Sequence, residues 1–146
     1  MAVPTGNSLP DISSEENLKA VLLAAKTVTY SSVGSGVQFL RIIERLGIAG
    51  EVRAKHVATI PGTAQVGDVV ASGKAEVGVH QQSELLPIQG ITIVGPLPGH
   101  LQIPIVYMAA TIANAANPVN AARFAAFLRS EAAKVAIRKS GMRPPP

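Results

Sequence analysis

The sequence predicts an α/β fold of three layers, in which a mostly parallel sheet lies between helices on its two faces. Short runs of β-branched and aliphatic residues alternate along the chain with segments of helical periodicity. Loops rich in Gly, Pro and Ser separate these segments. Helical crossovers between short apolar strands are typical of a parallel sheet that is covered on both faces. The 146 residues are enough for one domain with a substantial core.

The strands are predicted from short apolar stretches that end at turn residues. Residues 1–11 contain two prolines, a glycine and an asparagine, and we expect them to be an extended lead-in. The segments with the strand pattern are 27–31, 55–60, 77–80, 91–95 and 102–112. The Pro61-Gly62-Thr63 sequence is expected to break the second of them.

The helices are predicted from apolar residues at helical spacing and from capping residues. Ser13 and Glu16 fit a capping box, and Asn117 followed by Pro118 fits a helix start. The helical segments are 13–26, 37–46, 64–73, a turn at 81–86, 117–128 and 130–137. We expect one α/β lobe over 1–146, with a core lobe that includes crossing strands over 1–116 and C-terminal helices with a proline tail over 117–146.

Composition excludes several classes of protein. The absence of Cys excludes disulfides, thiolate metal sites and cysteine catalysis, and 47% hydrophobic residues exclude a disordered chain. The net charge of +4 comes largely from basic residues spread around the last helices, which favours a solvated face, so no nucleic-acid partner is expected. No stretch has the length and apolarity of a membrane span or the pattern of a signal peptide, which leaves a cytoplasmic protein, a mature form or a fragment.

The stretch from Lys26 to Gly47 predicts a binding loop, because a Ser/Gly run joins a strand to a helix. In parallel sheets, ligands bind at the carboxyl ends of strands, where the loops 31–36, 61–66 and 81–83 are expected. Backbone N–H groups, hydroxyls and an amide could hold an anion there without a lysine. The candidate binding residues are Ser31, Ser35, Gly36, Gln65, Val66 and Gln81. A plainer alternative is that Ser35 only caps its helix.

No catalytic or metal-binding motif is visible, and the sequence therefore predicts a protein that is not an enzyme and needs no cofactor. His56, His80 and His100 lack metal-ligand spacing. There is no G-x-S-x-G elbow, no Walker lysine and no G-x-G-x-x-G. A minor alternative is a small enzyme that uses Ser31 or Ser35 with His80.

Four stretches, taken in order, resemble one family. They are PTGNSLPDISSEENLKAVLLAAKTVTYS, SGVQFLRIIERLGI, GKAEVGVHQQSELLPIQGITIVGPLPGHLQ and AARFAAFLRSEAAKVAIRKSGM. The chain resembles the molybdate-type periplasmic substrate-binding proteins of ABC transporters, which have the type II periplasmic-binding fold. It is similar to their second lobe plus the C-terminal return, without the first lobe or an export signal. The resemblance implies a periplasmic location, a small oxyanion ligand such as molybdate or tungstate, and delivery to a membrane permease.

The resemblance also implies roles for individual residues. Ser35 and Val66 match positions where backbone N–H groups meet the oxyanion. Gln81 falls where molybdate binders place a tyrosine hydroxyl, so the chain departs from the molybdate pattern there. One lobe offers half of a binding site, which is open to water, and we expect weak or undetectable binding of molybdate, tungstate or sulfate by this chain alone.

Two further expectations concern partners and alternatives. The apolar face around Phe124, Phe127 and Leu128 is expected to be exposed and to drive self-association into a homo-oligomer. The main alternative function is a ligand-sensing or interaction domain that reuses this lobe without transport.

Overall fold

The structure is a computed structural model that describes residues 1–59 and 65–144. The chain divides into two compact units, Met1–Ile103 and Pro104–Pro146. The first unit has the predicted α/β class, with a four-stranded sheet and helices. The predicted break at Pro61-Gly62-Thr63 and the first residue of the helix predicted over 64–73 lie outside the described residues.

The strands and helices are short. The strands are β1 (Ala2–Pro4), β2 (Val28–Tyr30), β3 (Val77–Val79) and β4 (Ile91–Ile93). The helices of the first unit are α1 (Glu15–Ala24), α2 (Ser35–Arg45), α3 (Ala49–Ala54), α4 (Val66–Ala71) and α5 (Gln82–Leu85), followed by a 3₁₀ turn at Gly99–Leu101. The second unit contains α6 (Pro118–Phe127) and α7 (Glu131–Lys139).

The sheet has the strand order β2-β3-β1-β4. β2 and β3 are parallel, and Tyr30 lies opposite Val79. β1 is antiparallel to both of its neighbours, β3 and β4. β2, β3 and β4 therefore run in one direction, so their carboxyl ends lie along the same edge, and β1 runs in the opposite direction between two of them.

Three strand predictions need correction. The segment 1–11, which was predicted as an extended lead-in, contains the strand β1. The two strands that pair with β1 are distant in sequence, so the residues of β1 alone do not indicate the pairing. The strand predicted over 102–112 is wrong, because this segment has no regular structure. A strand needs a neighbouring strand, and the described sheet of β1, β2, β3 and β4 does not include this segment. Of the strand predicted over 55–60, the described part forms only a parallel bridge between Val28 and His56.

The sheet separates two apolar layers because its side chains alternate between the two faces. Met1, Val3, Val28, Tyr30, Val77 and Val79 join the larger core, together with residues of α1, α2 and α3. Ala2 packs with Val66 and Leu85 on the other face. Gly78 lets α4 approach this second face closely, since a Cβ built on it would lie 2.5 Å from Val70 Cγ2.

Replacing Gly78 with alanine is expected to lower the free energy of unfolding by about 1–3 kcal/mol, because the added methyl group overpacks the contact with Val70. Gly50→Ala is the matched control, since a Cβ on Gly50 in α3 meets no atom within 4 Å. It is expected to be neutral or to stabilise the protein by up to about 1 kcal/mol. Urea unfolding of the two variants measures the difference, and equal effects would contradict the close approach.

The Met1 amine should make stability depend on pH when Met1 is retained. The amine donates to Gly95 O at 2.8 Å, and burial lowers its pKa from 8.0 to about 6. Between these values the unfolded chain binds more protons than the folded chain, so stability falls as the pH falls from 8 to 6. The loss is up to roughly 2–3 kcal/mol. N-terminal acetylation should remove this part of the dependence in urea unfolding, and an unchanged pH profile would contradict the assignment.

The ends of the helices follow ordinary capping chemistry. Ser14, and not the predicted Ser13, accepts from Asn17 N at 3.1 Å as the N-cap of α1. The predicted start of α6 is found, with Asn117 Oδ1 accepting from Asn120 N at 3.0 Å. None of the described helices has the length and apolarity needed to cross a membrane.

The helix α6 has no buried residue, and its Phe124 and Phe127 rings are exposed and stack with their centroids 6.4 Å apart. The exposure of this pair agrees with expectation.

Candidate functional site

The register of β2 and β3 brings two loops together. Tyr30 and Val79 are opposite each other in the parallel ladder, and Ser31 and His80 are the next residues along the two strands. Neighbouring strands are about 4.8 Å apart, so the two loops leave the sheet side by side. We call residues 31–36 and 80–83 the carboxyl-end loops. The predicted meeting of the first and third candidate loops is therefore supported by the strand register.

The loop of residues 31–36 is folded tightly back on itself. Val33 N donates to Ser31 Oγ at 3.2 Å, and Gly36 N donates to Val33 O at 3.0 Å. A Cβ built on Gly36 would lie 1.5 Å from Ser31 O, so no other residue fits this loop without moving it. The Gly36 N–H already has a partner within the loop. The Ser31 hydroxyl accepts one hydrogen bond and can still donate its own proton.

Ser35 is the first residue of α2 and does not act as its cap. The N-cap position belongs to Gly34, and no side chain caps this helix end. The Ser35 Oγ is buried and has no hydrogen-bond partner among the described residues. The plainer interpretation, in which Ser35 only caps the helix, therefore does not fit the geometry. Burial of a hydroxyl group without a hydrogen-bond partner is unfavourable for folding, so a buried Ser35 Oγ is more consistent with a functional role than with a purely structural one.

His80 directly follows β3 and begins the second carboxyl-end loop. Its Nδ1 is buried and has no hydrogen-bond partner in the part of the chain that the structure describes. Burial lowers the pKa of His80 below its ordinary value, while the Glu84 carboxylate and the backbone of Gln81 act in the opposite direction. The imidazole is therefore largely neutral at pH 7. A neutral imidazole can accept a proton.

An aromatic pair supports the strand end that precedes Ser31. The rings of Tyr30 and His56 stack with their centroids 3.9 Å apart. His56 Nε2 lies 3.1 Å from Tyr30 O, and because a carbonyl only accepts, this nitrogen carries the proton. Phe39 packs against the Tyr30 ring at 5.2 Å. Burial raises the pKa of the Tyr30 phenol, and the charge of Arg53 acts against this rise. These contacts fix the backbone from which the first loop departs.

The other predicted residues have more ordinary surroundings. Gln65 precedes α4, and its N–H donates to Asp68 Oδ2 at 2.9 Å. Val66 is buried among apolar side chains. Gln81 is half-buried at the start of α5. Whether these residues contact a ligand remains a prediction, as it does for Ser31, Ser35 and Gly36.

Two further polar groups near these loops were not predicted from the sequence. Gln38 Oε1 is buried without a partner among the described residues, and Gln38 lies one turn after Ser35 on α2. The sequence contained one indication of Gln38, because a polar side chain three residues after Ser35 lies on the same face of the helix. Thr29 Oγ1 is buried without a partner in the same described part, one residue before the end of β2. Within that part, no cluster of His, Asp and Glu could hold a metal ion.

The arrangement combines a neutral base with neutral hydrogen-bond donors. His80 can take up a proton, while hydroxyl groups such as those of Ser31 and Ser35 can donate to an anion. A site of this kind can bind carboxylates, and it can also support proton transfer to and from a bound molecule.

Comparison with known proteins assigns the chain to a family. A family model described as bacterial extracellular solute-binding protein matches residues 1–143. The chain therefore belongs to this family, and the predicted solute-binding class is confirmed. A curated relative, aconitate isomerase from a Pseudomonas species, is 38% identical over 147 residues, which cover 100% of this chain and 55% of the relative. The chain thus spans about half of the length of that relative.

This relative corrects one prediction from the sequence. The chain was expected to belong to a protein without catalysis, but the relative that it matches over its whole length is named as an enzyme. That expectation rested on the absence of hydrolase, nucleotide-binding and metal-binding motifs, and the absence of these motifs does not exclude an enzyme.

Proposed function

We propose that this chain forms one lobe of an enzyme that isomerises aconitate and that it binds the substrate at the carboxyl-end loops. The observation that carries the proposal is the 38% identity to aconitate isomerase along the entire chain. Ser35 Oγ and His80 Nδ1 support this placement, since both belong to the carboxyl-end loops and are buried without a hydrogen-bond partner among residues 1–59 and 65–144.

The chemistry of such an isomerisation suits the polar groups of these loops. Aconitate is a propene that carries three carboxylates. A base can remove a proton from its methylene carbon, and the electron pair of that C–H bond then spreads over the allylic carbons and the adjacent carboxylate. Return of the proton to the other allylic carbon moves the double bond and can form the other isomer. No atom is gained or lost, and no oxidant is needed.

His80 is the base in this proposal. Burial keeps its imidazole neutral, which is the form that accepts a proton. The hydroxyls of Ser31 and Ser35 donate to substrate carboxylates, and they stabilise the charge that develops on one of them during proton removal. Gln65, Val66 and Gln81 remain candidate contacts at the adjacent loops.

The proposal also concerns the predicted location, ligand, permease and self-association. The family description supports an extracytoplasmic location, for which we propose the periplasm. The resemblance implied an oxyanion such as molybdate or tungstate, and we propose a carboxylate ligand instead. Delivery to an ABC permease rests on family resemblance, and self-association rests on the exposed rings of Phe124 and Phe127.

A chimaera tests the proposal. The part of the Pseudomonas enzyme that aligns with this chain over 147 positions is replaced by this chain, and the Pseudomonas enzyme supplies the rest of the chimaera. We expect the chimaera to interconvert cis- and trans-aconitate, measured by chromatographic separation of the isomers. The parent enzyme is the positive control, and circular dichroism and gel filtration verify folding. A folded, monodisperse chimaera without isomerase activity would contradict the proposal.

A further inference from the structure

A basic groove lies on the surface of the first unit, along the second half of α2. It is lined by Arg41, Ile42, Arg45, His100, Leu101 and Ile103 and has a volume of about 130 Å³. Leu101 and Ile42 are buried members of the main core, so they give the groove an apolar floor. Arg41 and Arg45 are exposed and four residues apart on one face of the helix.

Among the described residues, 1–59 and 65–144, no carboxylate pairs with the two guanidinium groups, those of Arg41 and Arg45. The neighbouring Glu44 is held by Arg53 at 2.5 Å. Glu15 does pair with a groove residue, since its Oε2 lies 2.6 Å from His100 Nε2. The groove therefore keeps two uncompensated positive charges beside an acidic group that already has a partner.

We propose that this groove is a second ligand site, which binds small organic dicarboxylates. Side chains four residues apart on a helix have Cβ atoms about 6 Å apart, which suits two carboxylates separated by a short carbon chain. Each guanidinium can hold one carboxylate through paired N–H groups. The carbon chain rests on Ile42 and Leu101. The volume of about 130 Å³ is sufficient for a four-carbon diacid.

The groove is separate from the carboxyl-end loops. α2 begins at Ser35 in the first of these loops and ends at Arg45. At 1.5 Å per residue, Arg41 and Arg45 lie about 9 and 15 Å further along the helix axis. Occupancy of the groove therefore does not require occupancy of the loops. The inference does not depend on the proposed isomerase activity.

The test is an NMR titration of the ¹⁵N-labelled 146-residue chain with succinate at low ionic strength. We expect saturable shifts, largest at residues 41–45 and 100–102, with a Kd on the order of 1–10 mM because the groove is open to water. Arg41→Gln and Arg45→Gln should each weaken binding about fivefold. Arg138→Gln, an arginine on α7, is the matched control and should leave the Kd unchanged.

Three results would overturn the second site. They are shifts that do not saturate, equal weakening by the control variant, and acetate binding as tightly as succinate. Saturable shifts confined to residues 31–36 and 80–83 would place succinate at the carboxyl-end loops and would also contradict the groove. Because the titration uses the 146-residue chain alone, inactivity of the chimaera has no bearing on this result.

Discussion

Replacing His80 with glutamine in the chimaera is expected to lower kcat for aconitate by about a hundredfold or more, while KM changes by less than about threefold. Glutamine keeps a polar side chain at the end of β3 but cannot take up a proton at neutral pH. The substrate carboxylates would still be bound by hydroxyl donors such as those of Ser31 and Ser35. The loss therefore falls on the proton-transfer step, and steady-state kinetics with the separated isomers measure it.

Two further readouts distinguish a base from a structural histidine. Burial lowers the pKa of His80, so kcat/KM should increase with pH along the acid limb of its pH profile. The apparent pKa of this limb should lie below the ordinary pKa of histidine. Added imidazole should restore part of the activity of His80→Gln. If His80→Gln loses activity, keeps the acid limb of the pH profile and is not rescued by imidazole, His80 is not the base.

Replacing Gly36 with alanine is expected to open the loop of residues 31–36. The new Cβ would lie 1.5 Å from Ser31 O and 2.4 Å from Ser31 C, which are backbone atoms that cannot rotate away. The loop or the start of α2 must therefore move. We expect a loss of about 2–4 kcal/mol in the free energy of unfolding of the 146-residue chain, measured by urea denaturation. In the chimaera, the displaced hydroxyls of Ser31 and Ser35 should lower kcat/KM by about a hundredfold.

Gly34→Ala is the matched control in the same loop. Gly34 has φ +55, and a Cβ there meets no atom within 4 Å, so this variant suffers backbone strain without a clash. Its cost should be about 1–2 kcal/mol. If Gly36→Ala destabilises the chain no more than Gly34→Ala does, the close contact between Gly36 and the Ser31 backbone is not present.

The sequence predicted the fold where the signal was local. The β-branched residues of β2 and the apolar periodicity of α2 led to both elements, and the small residues between them indicated the loop. β1 was missed because a three-residue strand beside Pro4 has no local signature, and its two neighbours are distant in sequence. The segment over 102–112 has strand composition, but composition alone cannot provide the neighbour that a strand requires.

The sequence predicted which loops follow the strands, but not the surroundings of their polar groups. Strand alternation placed Ser31 and His80 at the ends of strands, and the register of β2 and β3 brings them side by side. The role proposed for His80 depends on burial of its ring, and the unpartnered Ser35 Oγ depends on how the loop folds. Both are consequences of packing, which residue order does not show. For the same reason the basic groove, which pairs α2 with the distant 3₁₀ turn, was not visible in the sequence.

Hydrogen exchange of the chimaera with and without trans-aconitate tests the location of the site most directly. If the substrate binds at the carboxyl-end loops, ligand should slow exchange of backbone amides in peptides covering residues 31–36 and 80–83. Peptides from α7, which lies in the second unit, serve as the internal reference. Protection confined to residues 41–45 and 100–102, or absent from both carboxyl-end loops at saturating ligand, would contradict the claim that this lobe binds the substrate at the ends of β2 and β3.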